Sequence, residues 1–288
     1  MMLQGKRVAV TGANRGLGLA IAEACAREGA QVLMGARDQT ALGEAMAKVH
    51  ALAVPGARIE ALALDVADPK SAQAFAEAAQ AAFGGVDVLV NNAGIYGPKG
   101  SLTEIDLEAW EEALRINLFG VIHCCRSFLP LLRKAKRGKI INLSGGGATQ
   151  PMPYLSAYAA SKAAVVRFTE TLALEEPGLD INAVAPGALN TRLLDELLEA
   201  GPDKVGQAFY EKSLKQKAQG GTPLNVGADM IAWMASDQSD GVTGRLLSSV
   251  WDNWKDLPKH LDELKAGDVY TLRRIVPKER GKDWGEPK

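Results

Sequence analysis

Thr11-Gly12-Ala13-Asn14-Arg15-Gly16-Leu17-Gly18 is the stretch on which the fold turns. It follows the apolar run Val8-Ala9-Val10 and opens a helical pattern from Leu17 to Arg27. Glycines at this point permit a tight turn and close backbone approach, and the start of a helix offers unpaired N–H groups to a phosphate. A glycine-rich string alone also suits an ordinary strand-to-helix turn. The strand before it and the helix after it favour the phosphate loop.

Outward from this loop, strand-like runs recur at Arg7–Thr11, Gln31–Gly35, Arg58–Leu64, Val86–Asn91, Lys139–Leu143, Asp180–Val184 and Arg245–Val250. Helical patterns such as Leu17–Arg27, Ser71–Ala82, Leu107–Arg133, Tyr158–Glu175 and Val226–Ala235 lie between them. This alternation predicts right-handed βαβ crossovers, hence an α/β fold with a doubly wound parallel sheet and helices on both faces. The strands are continuously apolar, as strands buried on both sides should be. Two segments break the rhythm. Residues 189–223 form a long polar helical excursion at the carboxyl edge of the sheet, expected to act as a substrate lid. Residues 251–288 form an extension carrying Trp251, Trp254 and Trp284, aromatics that predict packing against the 1–250 domain or a partner subunit. Its basic stretches, Leu272-Arg273-Arg274 and Lys278–Lys282, are expected to form a solvated face.

The 288 residues carry 33 Lys+Arg against 34 Asp+Glu, so no basic field favours nucleic acid. Three cysteines, an odd number, argue against a disulfide framework and for a reducing compartment. The three histidines are scattered and no metal-binding spacing exists, so no metal is expected. No apolar run approaches the roughly 18–20 residues of a membrane span. Met1–Arg7 leads straight into a strand without a signal-peptide core, which predicts a cytoplasmic protein.

At the end of the second strand stands Met34-Gly35-Ala36-Arg37-Asp38. A site selective for NAD usually places an acidic side chain there for the ribose 2′-hydroxyl. Here Ala36 takes that place and Arg37 follows, while Arg15 adds a second guanidinium from the glycine loop. Guanidinium groups suit a 2′-phosphate, so NADP(H) is expected over NAD(H), with Asp38 as the opposing feature.

Asn91-Asn92-Ala93-Gly94 closes the fourth strand, and Tyr158-Ala159-Ala160-Ser161-Lys162 opens a helix. Together with the glycine loop, these motifs resemble those of the short-chain dehydrogenase/reductase family over roughly residues 5–244. The resemblance implies a three-layer Rossmann-like domain with seven parallel strands. It further implies hydride transfer between a nicotinamide cofactor and a small carbonyl or alcohol substrate, in a homodimer or homotetramer. The positions that match cofactor-contacting ones are Gly12, Asn14, Arg15, Gly16, Leu17, Gly18, Arg37, Asp65, Val66, Asn92, Ala93, Gly94, Pro186, Gly187 and Thr191, joined by Tyr158 and Lys162. Asn117, Ser144, Tyr158 and Lys162 match the catalytic set.

The residue chemistry agrees. Tyr158 and Lys162 are four apart and share a helix face. A phenol near pKa 10 needs help to exchange protons at neutral pH, and an ammonium beside it, with an oxidised nicotinamide, stabilises the phenolate. Tyr158 is then expected to protonate the substrate oxygen, with Asn117 holding a water that links Lys162 to solvent.

One departure stands out. The family places a serine thirteen residues before its tyrosine, and here that position is Gly145, inside Ser144-Gly145-Gly146-Gly147. Ser144 stands one residue early, which on a regular strand turns it to the other face. An irregular backbone at the three glycines is expected to bring it round. Without it, losing such a donor costs about 2.7–4 kcal/mol of transition-state stabilisation, and Gly145→Ser is expected to restore about a hundredfold. A dinucleotide-binding sensor or scaffold with little turnover is the alternative that Gly145 raises.

Overall fold

The computed structural model describes residues 1–284, so the last four residues of the expected 251–288 extension lie outside the described residues. Its strands are β1 (Arg7–Thr11), β2 (Gln31–Ala36), β3 (Ile59–Ala63), β4 (Val88–Asn91), β5 (Lys139–Leu143), β6 (Asp180–Ala185) and β7 (Leu246–Ser248). All neighbouring pairs are parallel, and the sheet order is β3-β2-β1-β4-β5-β6-β7. This is the seven-stranded, three-layer Rossmann-like fold that the motifs imply.

The two-residue period of each strand divides the core. Val8 and Val10 of β1 pack on the face covered by α1 (Gly16–Arg27), α2 (Gln39–Leu52) and, further along the chain, the helix Leu224–Ala235. Ala9 points the other way, toward α3 (Pro69–Phe83) and the helices Gly120–Leu132 and Ser156–Glu175. Local chemistry sets the helix ends. Asp68 caps α3 through Lys70 N, Pro69 opens it, and Gly84 closes it at φ 74°.

Sequence periodicity merges residues 107–133 into one helix. In the structure α4 (Leu107–Leu114) passes through a π-helical turn (Arg115–Phe119) into α5 (Gly120–Leu132). Helix α6 (Ser156–Glu175) follows β5. After β6 come α7 (Arg192–Ala200), α8 (Pro202–Val205) and α9 (Gln207–Gln219), then α10 (Leu224–Ala235), and α11 (Leu261–Ala266) lies beyond β7. Strand β7 is shorter than its apolar run because the Ser248 hydroxyl accepts from the amides of Val250 and Trp251 and turns the chain.

The segment after β7 lies along the sheet edge. Leu246 N donates to Tyr270 O (2.8 Å), and the Arg245 guanidinium donates to the carbonyls of Leu264, Gly267 and Val269. Trp254 packs on Trp233 of α10, whereas Trp251 and Trp284 are exposed. Of the basic residues in this segment, Arg273 is held by Asp268 and Glu279.

Candidate active site

The chain order reverses between β3 and β4, which leaves a crevice beyond the carboxyl ends of β1 and β4, where ligands of open α/β sheets bind. A cleft of about 1860 Å³ opens there. It is lined by every residue singled out for cofactor contact, and by Ser144, Tyr158 and Lys162. Asn117 alone of the candidates does not line it.

Glycines make the floor of the cleft. A Cβ on Gly18 would fall 2.1 Å from Gly12 O, so α1 starts closer to β1 than any side chain permits. Gly12 has φ +65° and packs against Ala93. The Asn92 side chain donates to Thr11 O (2.9 Å) and Gly12 O (3.1 Å), while Thr11 Oγ1 accepts from the amides of Asn92 and Ala93. Asn92 thus ties the two loops together. The start of α1 has no side-chain cap, so its first amides stay available, the arrangement that suits a pyrophosphate. Among the described residues, the guanidinium groups of Arg15 and Arg37 have no partner within the chain. Asp38, by contrast, caps α2 by accepting from Ala41 N (3.0 Å). The residues present fit a nicotinamide dinucleotide on these grounds.

Tyr158 and Lys162 sit in the first two turns of α6. A buried chain of amides fixes that helix to the sheet: Asn91 Nδ2 donates to Asn142 Oδ1 (2.8 Å), and Asn142 Nδ2 donates to Thr169 Oγ1 (2.9 Å). Lys162 Nζ donates to Leu143 O (2.8 Å) and lies 5.7 Å from the Tyr158 ring centroid. Among the described residues no carboxylate pairs with it, and burial pulls its ammonium down to about 8. Burial, with Tyr96 adding to it, pushes the Tyr158 phenol above its ordinary value. The depressed phenol expected from a neighbouring ammonium is therefore not what these residues produce by themselves, because Lys162 reaches past the ring to the β5 carbonyl.

Asn117 is fully buried in the π-helical turn. Its Oδ1 accepts from Ile95 N (2.8 Å), and its Nδ2 donates to Ile95 O (2.8 Å) and Ser161 Oγ (3.0 Å). The Asn117 side chain thus grips the loop after β4, and the irregular turn delivers it there.

The glycine segment differs from the expectation in detail. Gly145 stays extended (φ −177°, ψ 174°), and the backbone turns only at Gly146–Ala148. Ser144 N continues the ladder to Val184 O (2.8 Å), and the buried Ser144 hydroxyl has no hydrogen-bond partner. A Cβ on Gly145 would lie 2.3 Å from Tyr158 Oη. Position 145 is the one that faces the tyrosine.

Motifs alone do not disclose the apolar surround of Tyr158. The Tyr96 ring meets Tyr158 edge-on at 4.7 Å. Met152, Leu155, Leu197, Val205 and Phe209 complete the cluster, several of them from α7–α9. For Leu197, Val205 and Phe209 the signal in the sequence is the apolar face of the excursion after β6. Tyr154, with φ 67°, lines the cleft beside Gly206.

A doubly wound sheet, a glycine loop at its crevice and a Tyr-Lys helix beneath define an oxidoreductase of the nicotinamide-dependent type. The family model described as short chain dehydrogenase matches residues 6–201, and the chain belongs to the short-chain dehydrogenase/reductase family, whose members act on carbonyl and alcohol substrates. It is 39% identical over 249 residues to the "3beta-hydroxysteroid dehydrogenase 1" of Eggerthella lenta, covering 85% of this chain and 92% of that protein. It is 34% identical over 278 residues to the short chain dehydrogenase pigC of Monascus ruber, covering 95% and 88%. Among solved structures, levodione reductase superposes with a TM-score of 0.78 at 27% identity, covering 85% of this chain and 96% of that one. Actinorhodin polyketide ketoreductase with NADPH gives 0.76 at 29% identity, covering 84% and 95%.

Proposed function

We propose that the protein is an NADP(H)-dependent reductase that interconverts a carbonyl and a secondary alcohol, with Tyr158 as general acid and base. The observation that carries this reading is the placement of Tyr158 and Lys162 on one wall of the cleft whose other end holds the glycine loop. When bound, the nicotinamide cofactor supplies the hydride for reduction or accepts it for oxidation. The chain moves the proton. A phenol held neutral by burial is in the donor form, and the developing alkoxide is a far stronger base than phenolate, so transfer from Tyr158 Oη runs downhill. The Lys162 ammonium offsets the charge left on Tyr158. Asn117 holds the Ile95 loop in register with α6 through Ser161. The Ser144 hydroxyl is buried and unpartnered, and the ladder runs on regularly to Gly145, the position that faces Tyr158, so Ser144 is not assigned a contact to the substrate oxygen.

Support for NADP(H) comes from the free Arg37 guanidinium beside Ala36 and from the use of Asp38 as a helix cap. Support for a bulky, ring-bearing carbonyl comes from the wall of Tyr96, Met152, Leu197, Val205 and Phe209 and from relatives named for steroid and polyketide substrates. In this reading residues 189–223 are the lid. The test is NADPH oxidation with a 3-ketosteroid and with bicyclic 1-decalone. Tyr158→Phe is expected to lower turnover by about 10²–10⁴-fold with NADPH binding retained. Full activity in that variant would remove Tyr158 from the mechanism. NADPH binding without turnover on any carbonyl would favour the sensor.

A further inference from the structure

Three glycines follow Ser144, and they are not equivalent. A Cβ on Gly147 would fall 2.9 Å from the Ala159 Cα of α6, whereas a Cβ on Gly146 would meet nothing within 4 Å. At Gly145 the Cβ would lie 2.3 Å from Tyr158 Oη, 3.2 Å from its Cζ and 3.5 Å from its Cε1. Real Cβ atoms do not make contacts this short, so the tyrosine hydroxyl fills the space that a side chain at 145 would take. The backbone of Gly145 is ordinary extended chain that any residue adopts, so glycine is not needed there for its dihedral freedom. It is needed for the hydroxyl.

The way out for the Tyr158 hydroxyl is into the cleft that it lines, away from its seat. Tyr96 packs edge-on against its ring, and Leu155, Leu197 and Val205 close the cluster behind it. Its backbone lies within α6, which Asn142 holds through Thr169.

We infer that Gly145 is a positioning residue for the proton donor: lacking a side chain, it seats the Tyr158 hydroxyl against the end of β5, in the place that a serine at 145 would occupy. A serine at 145 is therefore not a missing part waiting to be restored. It displaces the group that gives the proton, and the sequence-based expectation of a gain from Gly145→Ser reverses sign. This inference rests on the reading of Tyr158 as the acid for its kinetic consequence, but the seating itself is a matter of contact.

Two measurements test it. The first is a double-mutant cycle in urea unfolding between Gly145→Ala and Tyr158→Phe, which needs no substrate. Gly145→Ala is expected to lower the unfolding midpoint in the wild-type background. In the Tyr158→Phe background, with the hydroxyl gone, that loss should fall by half or more. The effect of alanine on the unfolded chain is common to both arms and cancels. Gly146→Ala, which has room, should show no dependence on Tyr158. Equal losses from Gly145→Ala in both backgrounds would overturn the inference, and so would the same coupling at Gly146. The second measurement is turnover of 1-decalone with NADPH. Gly145→Ser should lower kcat between about tenfold and a hundredfold, as a misplaced reacting group does, with KM for NADPH unchanged. The pH dependence of its kcat should shift as well, because the tyrosine moves relative to Lys162. A faster Gly145→Ser enzyme would overturn the inference. If Tyr158→Phe is fully active, the general-acid reading fails instead, and the unfolding cycle still decides whether Gly145 seats the hydroxyl.

Discussion

Two buried lysines mark the two ends of the sheet. Lys139, 1% exposed, begins β5 at the amino end, and Lys162, 5% exposed, lies beyond the carboxyl end of the same strand. The first is surrounded by compensation: Asp180 at 3.1 Å, Asp240 at 2.8 Å as an ion pair without hydrogen-bond alignment, and Ser239 Oγ at 3.0 Å. Arg137 closes the cluster on the far side of Asp180. Among the described residues, the second has one carbonyl, Leu143 O, as its hydrogen-bond partner and no carboxylate. A buried charge with its counter-ions is a structural fixture, whereas one left with a single dipole is held in an unfavourable state that only a ligand or a reaction relieves. Of these two lysines, the matched one lies where the sheet is closed and the unmatched one where the cleft opens.

Removing each lysine is the sharpest way to break this comparison. Lys139→Met strands Asp240 and weakens the hold on Asp180, so it is expected to destabilise the protein by about 3–5 kcal/mol in urea unfolding. Turnover per folded molecule should not change. A loss under about 1 kcal/mol would mean that Arg137 carries the cluster alone.

Lys162→Met should do the opposite. Its folded value of about 8 lies below the ordinary 10.5, so between those pH values the unfolded chain binds the extra proton. Stability from this group therefore rises with pH across that window, and the penalty is fully present below about pH 8. Methionine removes the penalty, and the unfolding free energy at pH 7 is expected to rise by on the order of 3 kcal/mol at most, with the advantage fading toward pH 10.5. Turnover should be lost at every pH. A variant destabilised at pH 7 would show that the Leu143 contact outweighs burial.

The cofactor end offers a smaller version of the same contrast, between Arg37, without a partner among the described residues, and Asp38, committed to a cap. Arg37→Asp should erode or reverse a preference for NADPH by about ten- to a hundredfold in relative Kd, the scale of a charge-assisted hydrogen bond. Equal affinities of the wild-type protein for NADPH and NADH would end the argument for Arg37. Asp38→Ala should cost about 1 kcal/mol of stability through the lost cap and leave the cofactor ratio where it was. A change in that ratio would make Asp38 a reader of the ribose after all.

What repeats at short range is legible in the residues alone. Val8, Ala9 and Val10 alternate with a period of two, so the strand and its two faces follow from the order of the amino acids. The glycines of Thr11–Gly18 and the four-residue step from Tyr158 to Lys162 carry their meaning within one turn or one helix face, and all of them line the cleft as expected. What depends on atoms far apart in the chain was settled by packing. That Asn117 spends its amide on Ile95 follows from a π-helical turn that periodicity reads as ordinary helix. That Tyr158 is pushed up and Lys162 pulled down follows from burial, which for Tyr158 is set by packing from Tyr96 and the helices after β6. That Gly145 faces a hydroxyl follows from where α6 is pinned against β5, through Asn142 and Thr169. Periodicity is a property of neighbours along the chain. Contact and desolvation are properties of neighbours in space, and these set the chemistry of the site.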